Sequence, residues 1–246
     1  MNRRNNYNRR DFLKTIGAVT AISATGIGTF SGCVHGSSKI TNKQSIKSKP
    51  NLIVIFADDL GYGDLGCYGS KVNRTPYINS LAENGVKFTD FHMVASICSP
   101  ARSALLTGCY PKRIGMSSGI IRPGDKRGIN PNELNIAKVA KACGYKTCCA
   151  GKWHLGDQPK FLPTRVGFDT YFGLLYLDGQ NSKKAPKGKP YPPLPLVKDD
   201  EVIEQNPDRT TITKRMTDFV TNFIDENKDN PFMIYMPHIQ IGRAHV

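Results

Sequence analysis

Apolar runs alternate with polar, glycine-containing segments along residues 51–240. The first run, Asn51–Ala57, reads NLIVIFA and is rich in branched side chains, which is typical of a strand buried on both faces of a sheet. Shorter apolar runs at 86–93, 145–150 and 232–236 predict three more strands. A strand buried on both faces requires helices above and below the sheet.

Helix signals occupy the segments between these runs. Four helices are predicted, over residues 75–84, 99–108, 131–142 and 212–224. In the second, Ser99 suits the N-cap, Pro100 the first helical position and Gly108 the exit. Residues 178–200 are rich in Pro, Lys and Gly and predict an exposed excursion. The alternation predicts an α/β fold, a three-layer α/β/α sandwich with a largely parallel sheet.

The net charge of +14 is concentrated near the N-terminus. Residues 1–49 hold nine basic residues against Asp11 alone, which leaves +6 for the rest of the chain. The remaining basic residues are scattered and form no stripe with interleaved aromatic residues. We therefore expect no nucleic-acid partner.

The N-terminal segment resembles an export signal. Arg9 and Arg10 precede a weakly apolar run, Ile16–Phe30, that is too short for a stable membrane span, and the pattern resembles a twin-arginine signal. Residues 1–33 then form the signal and residues 34–50 a polar tether. Two readings of Cys33 stay open: either it becomes a lipidated first residue, or the signal is cut near Gly32. Both predict export through the twin-arginine machinery to a periplasmic or membrane-anchored location, and in the first reading a lipid anchor is the one membrane contact.

The seven cysteines do not predict a disulfide or zinc framework. Their number is odd, no pair has zinc-site spacing, and 246 residues are too many for a disulfide-dense scaffold. Cys148 and Cys149 lie in an apolar run and are expected to pack as small buried side chains. Cys98 differs, because it precedes a predicted helix start, where the helix dipole favours an anion. Arg102, one turn later, can reach the same place.

Polar side chains follow three of the predicted strands. Asp58 and Asp59 follow the first, Lys152 and His154 the third, and His238 the fourth. Because functional groups of a parallel sheet gather beyond the carboxyl ends of its strands, we expect these side chains to converge. Adjacent carboxylates at a buried strand end repel each other unless a cation lies between them, so a hard divalent ion is predicted there.

Three motifs carry a specific resemblance. Cys98–Gly108 contains C-x-P-x-R followed by LTG, Gly144–Gly156 reads GYKTCCAGKWHLG, and Ala57–Asp64 reads ADDLGYGD. Together they resemble the formylglycine-dependent sulfatases, in the arylsulfatase-like branch of the alkaline-phosphatase-like superfamily. The similarity extends from about residue 51 to residue 240, so that residues 51–240 are interpreted as a sulfatase catalytic domain.

The resemblance implies a nucleophile made from Cys98. A maturation enzyme would oxidise Cys98 to formylglycine, whose hydrated aldehyde attacks sulfur with one hydroxyl and expels sulfate with the other. Asp58, Asp59 and residue 98 would hold Ca²⁺, with Mg²⁺ as the alternative ion. The implied substrate is a sulfated polysaccharide or an aryl sulfate.

Basic residues complete the implied site. Arg102 would orient the hydrated aldehyde, Lys152 would contact sulfate oxygens, and His154 would assist the elimination of sulfate. His238 would be the first of an expected histidine pair and a candidate sulfate ligand.

The end of the chain departs from the family pattern. Residues 241–246, IGRAHV, match what a common sequencing-adapter sequence encodes in one frame, and we interpret them as a non-native tail. The family's second histidine, a further metal-binding Asp-Asn pair and a further sulfate-binding lysine fall in or beyond this tail. The sequence is therefore expected to be an inactive, C-terminally truncated piece of an active enzyme.

Two other functions stay open at the level of sequence. A phosphonate or phosphodiester hydrolase of the same superfamily could use the same nucleophile and metal. A non-catalytic lipoprotein that binds sulfated glycans is also compatible, but it would leave Cys98 unmodified.

Overall fold

The computed structural model describes residues 49–176 and 191–241, excluding the side chains of residues 240 and 241. The predicted signal at 1–33, most of the tether at 34–50, much of the excursion at 178–200 and residues 242–246 of the predicted tail lie outside the described residues.

Six strands form one sheet in the described part of the chain. They are β1 (Leu52–Asp58), β2 (Lys146–Lys152), β3 (Thr170–Leu174), β4 (Pro195–Lys198), β5 (Glu201–Gln205) and β6 (Phe232–Ile241). Their order is β1-β6-β2-β3-β4-β5, with parallel pairing from β1 to β3 and antiparallel pairing from β3 to β5. The predicted α/β fold with a largely parallel sheet is confirmed.

Five α-helices lie between the strands of the described chain. They are α1 (Pro76–Asn84), α2 (Cys98–Thr107), α3 (Ile136–Ala142), α4 (Pro163–Val166) and α5 (Arg209–Asn227). α5 has four buried residues on its inner face, and Asp208 caps it by accepting a hydrogen bond from the Thr210 amide. None of the helices that the structure describes has the length and apolar character needed to span a bilayer.

Helices cover both faces of the sheet. On one face, Phe172 of β3 stacks on Phe219 of α5, with ring centroids 5.2 Å apart. On the other face, the guanidinium of Arg102 in α2 lies 5.4 Å from the ring centroid of Phe56. Tyr235 of β6 pairs with Val54 of β1. Val54 and Phe56 are two positions apart in β1, so Phe56 and Tyr235 lie on the same face of the sheet. The sheet therefore forms the middle of three layers.

Several sequence predictions are wrong in detail. Residues 86–93 form no strand, and the apolar side chains of Val86, Phe88 and Phe91 are exposed. α2 begins at Cys98 with Ile97 as N-cap, two residues before the predicted first helical position and N-cap, and α3 begins only at Ile136. The excursion predicted at 178–200 contains the buried strand β4, which pairs with β5 in a hairpin.

Candidate active site

The candidate site lies at the carboxyl end of the parallel strands. Asp58 is the last residue of β1, and Lys152 is the last residue of β2. His154 follows Lys152 by two residues, and Cys98 begins α2. The sheet geometry thus brings together residues that are up to 94 positions apart in the sequence.

Asp58 is the centre of a buried ion-pair cluster. One carboxylate oxygen accepts a hydrogen bond from Arg102 Nη2 at 3.0 Å, and the other accepts one from Lys152 Nζ at 2.6 Å. The side chains of Arg102 and Lys152 are fully buried, and that of Asp58 is 6% exposed. Burial acts to raise the pKa of Asp58, but the bonds and charges of Lys152 and Arg102 outweigh it and leave the pKa below its ordinary value.

Cys98 lies against this cluster at the start of α2. Its Sγ atom is 3.3 Å from Lys152 Nζ and 3.7 Å from Asp58 Oδ1. The amino-terminal end of a helix also carries partial positive charge. A group at position 98 therefore faces a cation, a carboxylate and a helix dipole at once, which favours a polar atom that can accept a hydrogen bond from Lys152 and donate one to Asp58.

Arg102 connects the two strand ends. Its Nη1 atom donates to the main-chain carbonyl of Lys152 at 2.9 Å, while Nη2 donates to Asp58. Because the guanidinium is planar, these two bonds fix most of its orientation. A single side chain from α2 thus holds the ends of β1 and β2 together beside position 98.

His154 is buried beside the cations in a strained backbone conformation. Its φ is +58°, unusual for a residue other than glycine, and the residue is 1% exposed. Neither ring nitrogen has a hydrogen-bond partner among the described residues. Burial, followed by the charges of Lys152 and Arg102, lowers the pKa of His154 to about 3, so its imidazole is neutral near pH 7.

Two predicted site residues lie outside the cluster. Asp59 follows Asp58 directly but is exposed, with φ +51°. His238 is half-buried in β6, burial lowers its pKa, and no hydrogen bond or ion pair joins it to another predicted site residue in the described chain. The structure thus brings Asp58, Cys98 and Arg102 together with Lys152 but leaves Asp59 and His238 at the margin.

The fit to a divalent cation is partial. Asp58 and Asp59 are carboxylates, the ligands that Ca²⁺ and Mg²⁺ prefer. Among residues 49–176 and 191–241, however, no three His, Cys, Asp or Glu side chains are grouped as a metal shell. Calcium takes about six to eight oxygen ligands, so these two carboxylates account for a minority of a shell.

Two structural contacts near the site have no counterpart in the sequence predictions. Ser99 does not cap α2; its hydroxyl accepts a hydrogen bond from the Ile121 amide at 3.0 Å and so ties the loop after residue 114 to the start of the helix. Phe56 provides the aromatic surface under Arg102. Both lie next to motif residues, but neither contact has a local sequence signal, because each joins segments distant in sequence.

A cavity of about 970 Å³ opens beside the cluster. Asp58, Cys98 and Arg102 form part of its wall. Aromatic side chains, including Tyr62 and Phe91, line another part. A bound molecule can therefore reach position 98 from this cavity.

Comparisons with known proteins agree on one family. The sequence model of the Sulfatase family matches residues 50–240. Arylsulfatase A of Homo sapiens is 39% identical over 207 residues, covering 78% of this chain and 41% of that protein. Steryl-sulfatase of Rattus norvegicus is 46% identical over 135 residues, covering 50% of this chain and 23% of that protein.

Solved structures give the same result. The crystal structure of Ps i-CgsB in complex with k-i-k-neocarrahexaose has a TM-score of 0.67 at 31% identity and covers 81% of this chain and 46% of that one. BT4656, solved with its substrate D-glucosamine-2-N,6-O-disulfate, has a TM-score of 0.58 at 25% identity, covering 80% of this chain and 35% of that one. The chain spans about two fifths of the length of arylsulfatase A.

Proposed function

Because the chain belongs to the sulfatase family, we propose that it provides the nucleophile and part of the anion site of an enzyme that hydrolyses sulfate esters. The observation that carries this proposal is the position of Cys98, with Sγ 3.3 Å from Lys152 Nζ and beside the pair formed by Asp58 and Arg102. The implied substrate is a sulfated carbohydrate, as named for the structural neighbour BT4656, or an aryl sulfate.

Cys98 is the proposed precursor of formylglycine. A separate maturation enzyme must oxidise Cβ by two electrons with an oxidant of its own: the Cβ–S bond is replaced by a carbon–oxygen double bond, water supplies the oxygen in the net balance, and sulfur leaves as hydrogen sulfide. In its hydrated form, residue 98 supplies one oxygen that attacks sulfur and displaces the substrate's alcohol or phenol, which takes up a proton. The second oxygen then loses its proton and expels sulfate, which restores the aldehyde. The thiol of unmodified Cys98 lacks this second hydroxyl.

Lys152 and Arg102 are proposed to stabilise the charge that develops on the reacting oxygens. Both are fully buried and already fixed by Asp58, so little reorganisation is needed when an anion binds. The imidazole of His154 is neutral near pH 7 and is proposed to accept a hydrogen bond from a hydroxyl at position 98. Asp58 keeps the two cations apart and oriented.

Asp58, Asp59 and residue 98 are the proposed ligands of Ca²⁺ or Mg²⁺. The ion would act as a Lewis acid on a sulfate oxygen. For Asp58 to bind it, the carboxylate must share its oxygens between the ion and its present partners, Arg102 and Lys152.

Export remains a proposal drawn from the N-terminal sequence. Arg9 and Arg10 before a weakly apolar run support a twin-arginine address, and Cys33 supports a lipid anchor. Replacing both arginines with lysine is expected to retain the protein in the cytoplasm, as measured by fractionation. A periplasmic or membrane-bound product of the double variant would contradict it.

Mass spectrometry at position 98 tests the proposed nucleophile. The chain is co-expressed with a formylglycine-generating enzyme, and the mass of the tryptic peptide 88–102 is measured. Trypsin releases this peptide by cleaving after Lys87 and after Arg102. We expect a peptide lighter than the cysteine form, with Cys98→Ala as the control. A peptide that stays entirely in the cysteine form, alongside a converted positive-control substrate, would contradict the proposal and favour a non-catalytic glycan-binding protein.

A second assay separates the possible reactions. The converted chain is offered an aryl sulfate, a sulfated oligosaccharide and an aryl phosphodiester. Release of sulfate in preference to phosphate-ester cleavage supports the sulfatase. A preference for the phosphodiester favours the phosphoryl-transfer alternative, and absence of turnover does not separate the two reactions.

A further inference from the structure

Nη1, Nη2 and one face of the Arg102 guanidinium have partners in the structure, but its Nε–H group does not. Nη1 and Nη2 donate to the Lys152 carbonyl and to Asp58, and the guanidinium lies over Phe56. The Nε–H group is fully buried and has no hydrogen-bond partner among the residues that the structure describes. A buried donor on a charged group is costly when it stays unpaired, so a nearby acceptor is expected.

Tyr235 presents such an acceptor at the same place. It lies in β6, is 1% exposed, and has a hydroxyl that likewise lacks a hydrogen-bond partner within the described chain. Its register partners are Val54 of β1 and Cys149 of β2, so it occupies the face of the sheet that α2 covers. Stacking on Phe168, with centroids 6.2 Å apart, fixes the ring.

The electrostatics agree with this placement. Burial raises the pKa of the Tyr235 phenol above its ordinary value, and the nearby Arg102 guanidinium partly opposes that effect. The hydroxyl of Tyr171, two strands away on the same face, is already used, because it donates to the Gly151 carbonyl at 3.0 Å. Tyr235 is thus the tyrosine on this face whose hydroxyl is available to Arg102.

We propose that Tyr235 is a positioning residue whose hydroxyl accepts the Nε–H of Arg102 and so fixes the guanidinium against Asp58 and residue 98. The pairing joins a buried donor and a buried acceptor that otherwise both lack partners. It also accounts for a polar aromatic residue in a central, fully buried strand, where phenylalanine would fill nearly the same volume. The catalytic consequence rests on the proposed sulfatase function; the contact between the two side chains does not.

Hydrogen exchange of the Arg102 Nε–H measures this contact directly. The full chain is labelled with ¹⁵N-arginine, and the Arg102 signal is assigned by its loss in Arg102→Lys. We expect Tyr235→Phe to accelerate exchange of this proton with water at least about tenfold, because a hydrogen bond to a charged group is lost. Tyr171→Phe is the matched control, since it removes a buried hydroxyl bonded to another group and should leave the Arg102 rate unchanged.

Thermal unfolding separates positioning from simple packing. If Tyr235 merely fills space, its hydroxyl is an unpaired buried group, and Tyr235→Phe should leave the Tm unchanged or raise it. The proposal requires a lower Tm together with faster exchange. Equal exchange rates in the parent chain and Tyr235→Phe would overturn it.

One further measurement covers the case in which Tyr235→Phe does not fold. In the unsubstituted chain, a nuclear Overhauser effect between the Arg102 Nε proton and the Tyr235 ring protons supports the contact, and its absence overturns it. None of these readouts needs formylglycine or turnover. A peptide in which Cys98 stays unconverted would therefore reject the sulfatase proposal alone. Unchanged exchange of the Arg102 Nε proton in Tyr235→Phe would reject the role of Tyr235 alone.

Discussion

Replacing Asp58 with asparagine is expected to destabilise the fold strongly. The substitution keeps the size of the side chain but removes the negative charge that two fully buried cations share, at 3.0 Å from Arg102 and 2.6 Å from Lys152. Removing one partner of a buried ion pair costs about 3–5 kcal/mol, because the remaining charge is left uncompensated. Here two cations lose the same partner, so we expect a loss of unfolding free energy at the upper end of that range.

Urea unfolding followed by tryptophan fluorescence measures this loss. Trp153 is the single tryptophan and is fully buried next to Lys152, so its emission reports on this region. The measurement is made with a chelator, so that metal binding does not contribute. Asp200→Asn is the matched control: it removes an ion pair with the partly exposed Arg165, and such surface pairs contribute about 0–1 kcal/mol.

The result that would refute this reasoning is a small effect at Asp58. If Asp58→Asn lowers the unfolding free energy by no more than the Asp200→Asn control, the carboxylate does not compensate the two cations. Hydration of Lys152 and Arg102 in the variant would then have to replace Asp58, which contradicts their complete burial.

Three further substitutions test individual residues. Burial and the neighbouring cations lower the pKa of His154 from 6.5 to about 3. Between these pH values the unfolded chain binds more protons than the folded chain, so the unfolding free energy should fall as the pH drops below 6.5. His154→Gln should show a shallower fall. Ser99→Ala leaves the Ile121 amide unpaired and should cost about 1–3 kcal/mol in urea, and no loss would contradict the contact. Gly151→Ala should give little soluble protein, because its Cβ would lie 2.0 Å from a carbonyl oxygen of β6, whereas Gly63→Ala, with nothing within 4 Å, should not.

Much of the fold could be predicted because its main signals are local. The run at 51–57 and the periodic helix at 212–224 each carry their pattern within one segment, and both are present as β1 and α5. The predicted burial of the first run on both faces is wrong, because β1 is an edge strand of the described sheet and Leu52, Ile53 and Ile55 are exposed. Motif residues at strand ends were expected to converge because parallel strands end at one edge of a sheet. For that reason Lys152 Nζ lies 2.6 Å from a carboxylate oxygen of Asp58.

The errors arise where structure depends on distant partners. Residues 86–93 have a strand-like composition, yet no described strand pairs with them, and backbone hydrogen bonds rather than composition define a strand. β3 at Thr170–Leu174 is short, and its period-two signal is too weak to separate from a loop. The partners of Arg102 are the Asp58 carboxylate and the Phe56 ring, both in β1, and the Lys152 carbonyl in β2. No residue spacing within α2 indicates these partners.

The charge balance of the cluster indicates what kind of ligand it suits. One buried carboxylate, Asp58, faces two buried basic side chains, Arg102 and Lys152, and the neighbouring imidazole of His154 is neutral near pH 7. Because a buried net positive charge is unfavourable without a counter-ion, an oxyanion at position 98 relieves it. A divalent cation, if Asp58 and Asp59 bind one as proposed, would add positive charge to the same place. The anion and that cation would then favour each other's binding, and by linkage the effect would be equal in both directions.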